Sequence, residues 1–490
     1  MVGALTGCPQ PQITGNPPVD ATPTPTPTPS PTPPPSRDAL EITVRELTLD
    51  VNGQIRLEAE APEALVVLPL IEPQSYFLRM DETPVETMPV YRTAAARLRA
   101  AAPALRGAQA KPRAVETVEG YGAQATFRVG DETVNANRVY DGTNCLVYVD
   151  TRDEASTAAL TTQIASAFET SLFPKAAGLL GSIPGGRAED GFNRGDDRIV
   201  LLVSQETTDV AASFIPTDLF PPLDNGLSNY GKVLHVNAAR SPQEVLPSLA
   251  HELGGMIFLM QRLEAYSRML CPNDPQPVGK DLSYLLDEEA AADYWLYPII
   301  NLLTAQVCGY TPDSGNREAL LAVGKYLDLP SMFQLDSASL EGVYDSNMGQ
   351  SLLFGAYLYG QRPAFAKNLG ANEALGAEAL ASAMQRDFPR LFRDFSLATA
   401  LDGLAGVPSQ YTIPFVNLHK TYTLDGKPFP FSGAGATMAG ALGGSGTLQT
   451  IMLKGRFPQG KVRLGLSAGA AKKATLVLFR PSATARFIEE

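Results

Sequence analysis

Polar and apolar residues alternate in the first stretch that reads as folded. Glu41-Ile42-Thr43-Val44, Leu47-Thr48-Leu49-Asp50-Val51 and Ile55-Arg56-Leu57-Glu58-Ala59 each change character at every step. A period of two puts successive side chains on opposite faces and predicts strands. Residues 38 to about 90 therefore read as a small β-domain, and 91–115 as an alanine-rich basic helix or linker. Strands are predicted again from Gln124–Val129 to Cys145–Asp150, followed by a helix over 154–172 with Leu160, Ile164, Ala167, Phe168 and Leu172 at helical spacing. Ile199–Val203 is short, β-branched and continuous, the pattern of a buried strand, and Lys232–Asn237 forms another. The period becomes helical from 243 to about 310 and from about 317 to 403. After Val407 glycines accumulate, and 449–453, 462–466 and 475–479 read as strands. The expected fold is α+β: a central domain over 116–409, an N-terminal β-domain with its linker over 38–115, and a β-sandwich-like domain over 410–490.

Composition narrows the class. The chain has 490 residues, 44% of them hydrophobic and 19% charged, enough for a sizeable core. A net charge of -13 argues against nucleic acid as a partner, since phosphate binding needs clustered basic surface. No apolar run reaches the roughly 18 residues of a membrane span. Near the start, Leu5-Thr6-Gly7-Cys8 resembles the lipobox of bacterial lipoproteins, with Cys8 as the lipidated residue, although so short a pattern also arises by chance. Only Met1–Ala4 precede it, so residues 1–8 read as a signal remnant whose start has been trimmed. Residues 9–37, with Thr22-Pro23-Thr24-Pro25-Thr26-Pro27, form an extended tether that cannot build a core. The expectation is an exported protein, lipid-anchored in the bacterial cell envelope. Three further cysteines remain, Cys145, Cys271 and Cys308. An exported chain accommodates a Cys271–Cys308 disulfide; three buried free thiols are the alternative.

The chemistry concentrates in Ser248-Leu249-Ala250-His251-Glu252-Leu253-Gly254-Gly255-Met256-Ile257-Phe258. Zinc peptidases set two histidines at i and i+4 on one helix face, with a glutamate after the first as general base. Here the i+4 position is Gly255, which has no imidazole. A lone His-Glu pair is unspecific. Its context is collinear with more: Val147–Asp150, Asp197–Leu202, Phe214, Asp218-Leu219-Phe220, Ser228-Asn229, Leu285-Leu286-Asp287-Glu288, Cys308-Gly309-Tyr310 and Gly349–Leu358. Taken in order, residues 120 to about 403 resemble the hyicolysin family of secreted bacterial zinc metallopeptidases.

That resemblance implies a zincin-like domain with His251 as first metal ligand, Glu252 at the catalytic-base position and Glu288 as third ligand. Glu289 competes, because Glu289 and Asp293 have the spacing of a ligand and a supporting carboxylate. Gly255 is the lost-ligand position, and Met348 replaces the tyrosine such a peptidase shows before Gly349. Losing even a supporting group costs about 10–100-fold in metal affinity, so losing an imidazole should cost more. Paired glycines also destabilise a helix by roughly 1 kcal/mol each. His235, on the strand before the helix, and His419, near the C-terminus, are the other imidazoles. They read as an ordinary strand residue and a surface residue. Asp190–Asp197 gathers oxygen ligands around glycines without the EF-hand spacing and reads as a polar turn.

Three functions follow as expectations. The first is a non-catalytic surface protein that binds polypeptide or another cell-surface protein, with no cofactor. The second is an active endopeptidase with an atypical ligand set, holding zinc. The third is a structural or adhesive envelope component.

Overall fold

The computed structural model describes residues 121–130, 132–183, 197–206, 210–219, 228–270, 290–328, 344–403 and 407–431, together with the backbone of strands on either side. Four strands come first: β1 (Glu41–Thr48), β2 (Gln54–Glu60), β3 (Glu63–Leu70) and β4 (Gln74–Met80). Six form the central sheet: β5 (Gln124–Val129), β6 (Glu132–Asp141), β7 (Cys145–Asp150), β8 (Ile199–Ser204), β9 (Ala212–Phe214) and β10 (Val233–Asn237). A hairpin, β11 (Thr421–Leu424) and β12 (Lys427–Pro430), precedes β13 (Leu442–Gly446), β14 (Gln449–Arg456), β15 (Lys461–Ala468), β16 (Lys473–Arg480) and β17 (Arg486–Glu489).

The central sheet has the order β5-β6-β7-β8-β10-β9. Its three middle strands, β7, β8 and β10, run parallel, while β5, β6 and β9 join antiparallel. Parallel strands are covered on both faces and so read as near-continuous apolar runs. Every residue of β7 and β8 is buried. Period-two geometry splits these strands between two cores. Val147, Val149, Leu201, Val203, Leu234 and Val236 face the helical core, while Leu146, Tyr148, Val200, Leu202 and Val233 pack with Tyr121, Phe127 and Val134 on the other face.

Nine helices occur among the described residues: α1 (Glu154–Ala167), α2 (Phe173–Leu180), α3 (Pro242–Leu270), α4 (Leu296–Val307), α5 (Arg317–Asp328), α6 (Tyr344–Gln361), α7 (Phe365–Gly370), α8 (Gly376–Met384) and α9 (Phe388–Leu401). The single helix expected over 154–172 ends at Ala167 and passes through a π-turn, Phe168–Leu172, into α2. There Glu169 accepts hydrogen bonds from the Asn144 and Cys145 amides, at 2.8 and 3.1 Å, and pins the β6–β7 turn.

Two domain boundaries differ from the sequence expectation. The strands read as separate N- and C-terminal β-domains pair with each other: β1 with β16, β3 with β14, and β4 and β2 within the order β13-β4-β15-β2-β17. Alternation identifies a strand but not its partner. The boundary at 410 also cuts through packed structure. Tyr411, Ile413, Val416, Leu418, Tyr422 and Phe431 belong to the main helical core, where Asp402 accepts hydrogen bonds from the Ile413 and Leu418 amides. The segment is irregular locally, so periodicity could not assign it.

Cys145 and Cys308 are buried free thiols, and Cys308 Sγ lies 3.8 Å from the Leu172 carbonyl. The expected Cys271–Cys308 disulfide is therefore corrected for Cys308, whose sulfur packs against the π-turn; Cys271 lies outside the described residues. The lipobox with Cys8, the tether and the 91–115 stretch lie outside them too.

Candidate functional site: the His251–Glu252 turn of α3

The sequence begins α3 with a local signal. Ser241 precedes Pro242 at the first helical position, where a missing N–H costs nothing. Glu244 reaches back to the Ser241 amide at 3.0 Å and to its hydroxyl at 2.8 Å, a capping box that satisfies a helix-end donor. From this start Val245, Leu249, Leu253, Met256, Ile257, Met260 and Leu263 fall on the buried face. That register leaves two neighbouring polar stripes, Ser248 with Glu252 and His251 with position 255.

The first stripe meets the sheet edge. Ser248 Oγ lies 3.2 Å from both the amide and the carbonyl of Ala212, and the Phe214 amide donates to Glu252 Oε2 at 3.0 Å. Residues four apart on a helix thus span alternate residues of β9, the last strand in the sheet order. Burial raises the Glu252 pKa to about 7, against the lowering effect of the Phe214 amide. The Glu252 side chain is 22% exposed.

The second stripe meets α4. Asn301 Nδ2 lies 3.3 Å from His251 Nε2, at the long end of hydrogen-bond range. With the amide nitrogen donating, this contact requires an unprotonated Nε2 and so a neutral ring. Burial lowers the His251 pKa to about 4, which favours the same form. A Cβ at position 255 would stand 2.9 Å from both Asn301 Nδ2 and Oδ1, and one at 254 would stand 2.7 Å from the Thr304 Cβ. The paired glycines lie where two helices cross, against the Thr304 and Asn301 side chains. Position 254 faces Thr304, 255 faces Asn301, and Phe258 meets Tyr297 edge-on with centroids 5.0 Å apart. Numbers rising on α3 while falling on α4 mean the helices cross antiparallel.

Could these residues hold a metal? Among the described residues no group of three His, Cys, Asp or Glu side chains is placed to do so. Both candidate third ligands, Glu288 and Glu289, lie outside the described residues. What is described fits a cation poorly. The nitrogen that would face the ion has an N–H donor in front of it, and the i+4 position is packed against that donor's side chain. His251 Nε2 and Glu252 Oε1 are 4.0 Å apart. The Glu252 carboxylate is directed to β9, where it accepts from the Phe214 amide.

Several expected site residues lie elsewhere. Asp293, expected to support the ligands, accepts from Arg262 Nε at 2.8 Å through Oδ2 and from the Gly376 amide at 2.6 Å through Oδ1. Both members of this ion pair are fully buried. Arg262 stands about three turns beyond His251 on α3, so Asp293 ties α3 to the start of α8. His235 is a buried strand residue that faces a neighbour. It points to the face of the sheet opposite α3, with Nε2 2.7 Å from Asp218 Oδ2, and cannot reach the His251 locus. His419 is exposed, as expected. Met348 is half-buried against the helical core. Of the oxygen-rich turn only Asp197 is described, and its carbonyl accepts from Lys232 Nζ at 2.6 Å. Sequence reasoning missed Asn301, Ser248 and Arg262. Asn301 had a signal, a lone amide within Ile299-Ile300-Asn301-Leu302-Leu303, but nothing in that run names its partner.

In comparisons with known proteins, no family model and no curated protein matches this chain.

Proposed function

We propose that this chain is an exported, lipid-anchored envelope protein whose zincin-like central domain binds polypeptide without hydrolysing it. One observation carries the reading. The residue one turn after His251 is Gly255, and the space an imidazole would need there is taken by Asn301. A catalytic zinc needs three protein ligands and an open position for water, and the described residues offer one imidazole with its nitrogen already engaged. The mixed sheet with a short antiparallel edge strand beside the His-Glu helix supports the peptidase-like architecture. The collinear motifs from Val147 to Leu358 support the family likeness.

The test is zinc content per chain by mass spectrometry, beside cleavage of an unfolded protein substrate. We expect far less than one zinc per chain, no cleavage, and no difference between wild type and Glu252→Gln. One tightly held zinc per chain, with cleavage lost in Glu252→Gln, would establish the active peptidase instead.

A second reading has its own observation. The Ala212 amide and carbonyl and the Phe214 amide are already bonded to Ser248 and Glu252. A strand so engaged offers little edge for a polypeptide to extend, which favours a structural envelope component. Calorimetric titration with unfolded polypeptide separates the two: saturable binding that competes with β9 contacts supports the first reading, and none supports the second.

A further inference from the structure

We infer that Asn301 is the plug of the former metal locus: it takes the place of the missing second imidazole, and Gly255 is held small to admit it. This rests on the reading of the site as non-hydrolytic and names the side chain that fills the place of the missing ligand.

The geometry requires the pair. With Asn301 in place, a Cβ at 255 sits 2.9 Å from two of its side-chain atoms and 3.2 Å from its Cγ. Those atoms are the end of the Asn301 side chain, so any side chain at 255 requires Asn301 to swing out of the place it holds beside His251. In the other direction, Asn301 gives His251 Nε2 the donor that a buried neutral ring needs. Asn301 Oδ1 is buried without a hydrogen-bond partner in the structure. Thr304, the next rung of the crossing, satisfies itself by donating to the Ile300 carbonyl at 2.8 Å and places no polar demand on Gly254. Asn301 is therefore the group at this crossing that selects for His251, a positioning residue rather than a catalytic one.

The experiment measures Ni²⁺ and Zn²⁺ binding by calorimetry to wild type, Gly255→His, Asn301→Ala and the double variant. Two imidazoles on one helical turn bind such ions without the third ligand. We expect Gly255→His to bind no better than wild type, and the double variant to bind tighter than Gly255→His by on the order of tenfold or more. Equal affinity of the single and double variants, including none in either, overturns the inference. A wild-type chain with one tightly held zinc instead sinks the non-hydrolytic reading, so the two failures are told apart. A second measurement does not depend on Gly255→His folding. The chain has three histidines, so a ¹⁵N-histidine spectrum resolves each ring. We expect wild-type His251 to carry its proton on Nδ1, and Asn301→Asp, whose carboxylate only accepts, to move it to Nε2. An unchanged tautomer overturns the inference as well.

Discussion

Two histidines, one fully buried and one half-buried on the other side of the central sheet, are handled in opposite ways. His235 faces a carboxylate, and Asp218 is itself held by the amide and side chain of Asn229, both at 3.0 Å. His251 faces a neutral amide, and among the described residues the carboxylate beside it, on Glu252, is turned to β9. The first arrangement is a connected polar network that fixes a loop to the sheet. The second is a contact between two helices that works only with an uncharged ring. The contrast teaches that burial alone does not define a functional histidine. What matters is whether the group in front of its nitrogen accepts, donates, or leaves room for an ion.

The sharpest way to break the comparison lies further along α3. Arg262→Met leaves Asp293 buried without its ion-pair partner and should cost about 3–5 kcal/mol, read as a fall in the urea midpoint. A slight loss would mean that the buried pair contributes little to holding α3 against the start of α8. Next, Asp218→Ala removes the acceptor of three hydrogen bonds and should cost about 2–4 kcal/mol, with slower native packing of the 228–231 segment visible by hydrogen exchange.

The pH dependence of stability follows from the other histidine's surroundings. Glu252 has a folded pKa raised to about 7 from 4.5, so the folded state holds the proton more tightly. Stability from this group is full below about 4.5 and falls as pH rises through 7. Glu252→Gln should therefore gain on the order of 2 kcal/mol at pH 8 and little at pH 4.5. His251 acts oppositely. Its pKa is lowered to about 4 from 6.5, so stability is full above 6.5 and lost as pH falls toward 4. Urea midpoints measured from pH 4 to 8 should show both limbs in wild type and only the acid limb in Glu252→Gln. The smallest effect is expected for Ser248→Ala, about 1 kcal/mol, with faster amide exchange at Ala212.

Much of the scaffold was legible. The continuous apolar run at Ile199–Val203 can only be a covered strand, and β8 is that strand. The start of α3 was written locally in Ser241, Pro242 and Glu244, and the His-Glu turn falls within it. Less visible was the break of the 154–172 helix, because Glu169 bends it for a turn about 25 residues away. The partners of Asp293 were hidden for a similar reason. A Glu-x-x-x-Asp spacing fixes a helix face, but the buried guanidinium that claims the carboxylate comes from 31 residues earlier.

By itself the sequence determined that a helix carries His251 and Glu252 side by side, with no side chain where a second imidazole belongs. Those relations lie within one helical turn, where spacing alone sets geometry. Only the tertiary structure decided what fills the gap. Asn301 is fifty residues away, and the partners of the outer strands stand at opposite ends of the chain. Such contacts depend on which apolar faces pack together, and hydrophobic burial is non-directional, so a pattern of buried positions names the faces without naming their neighbours.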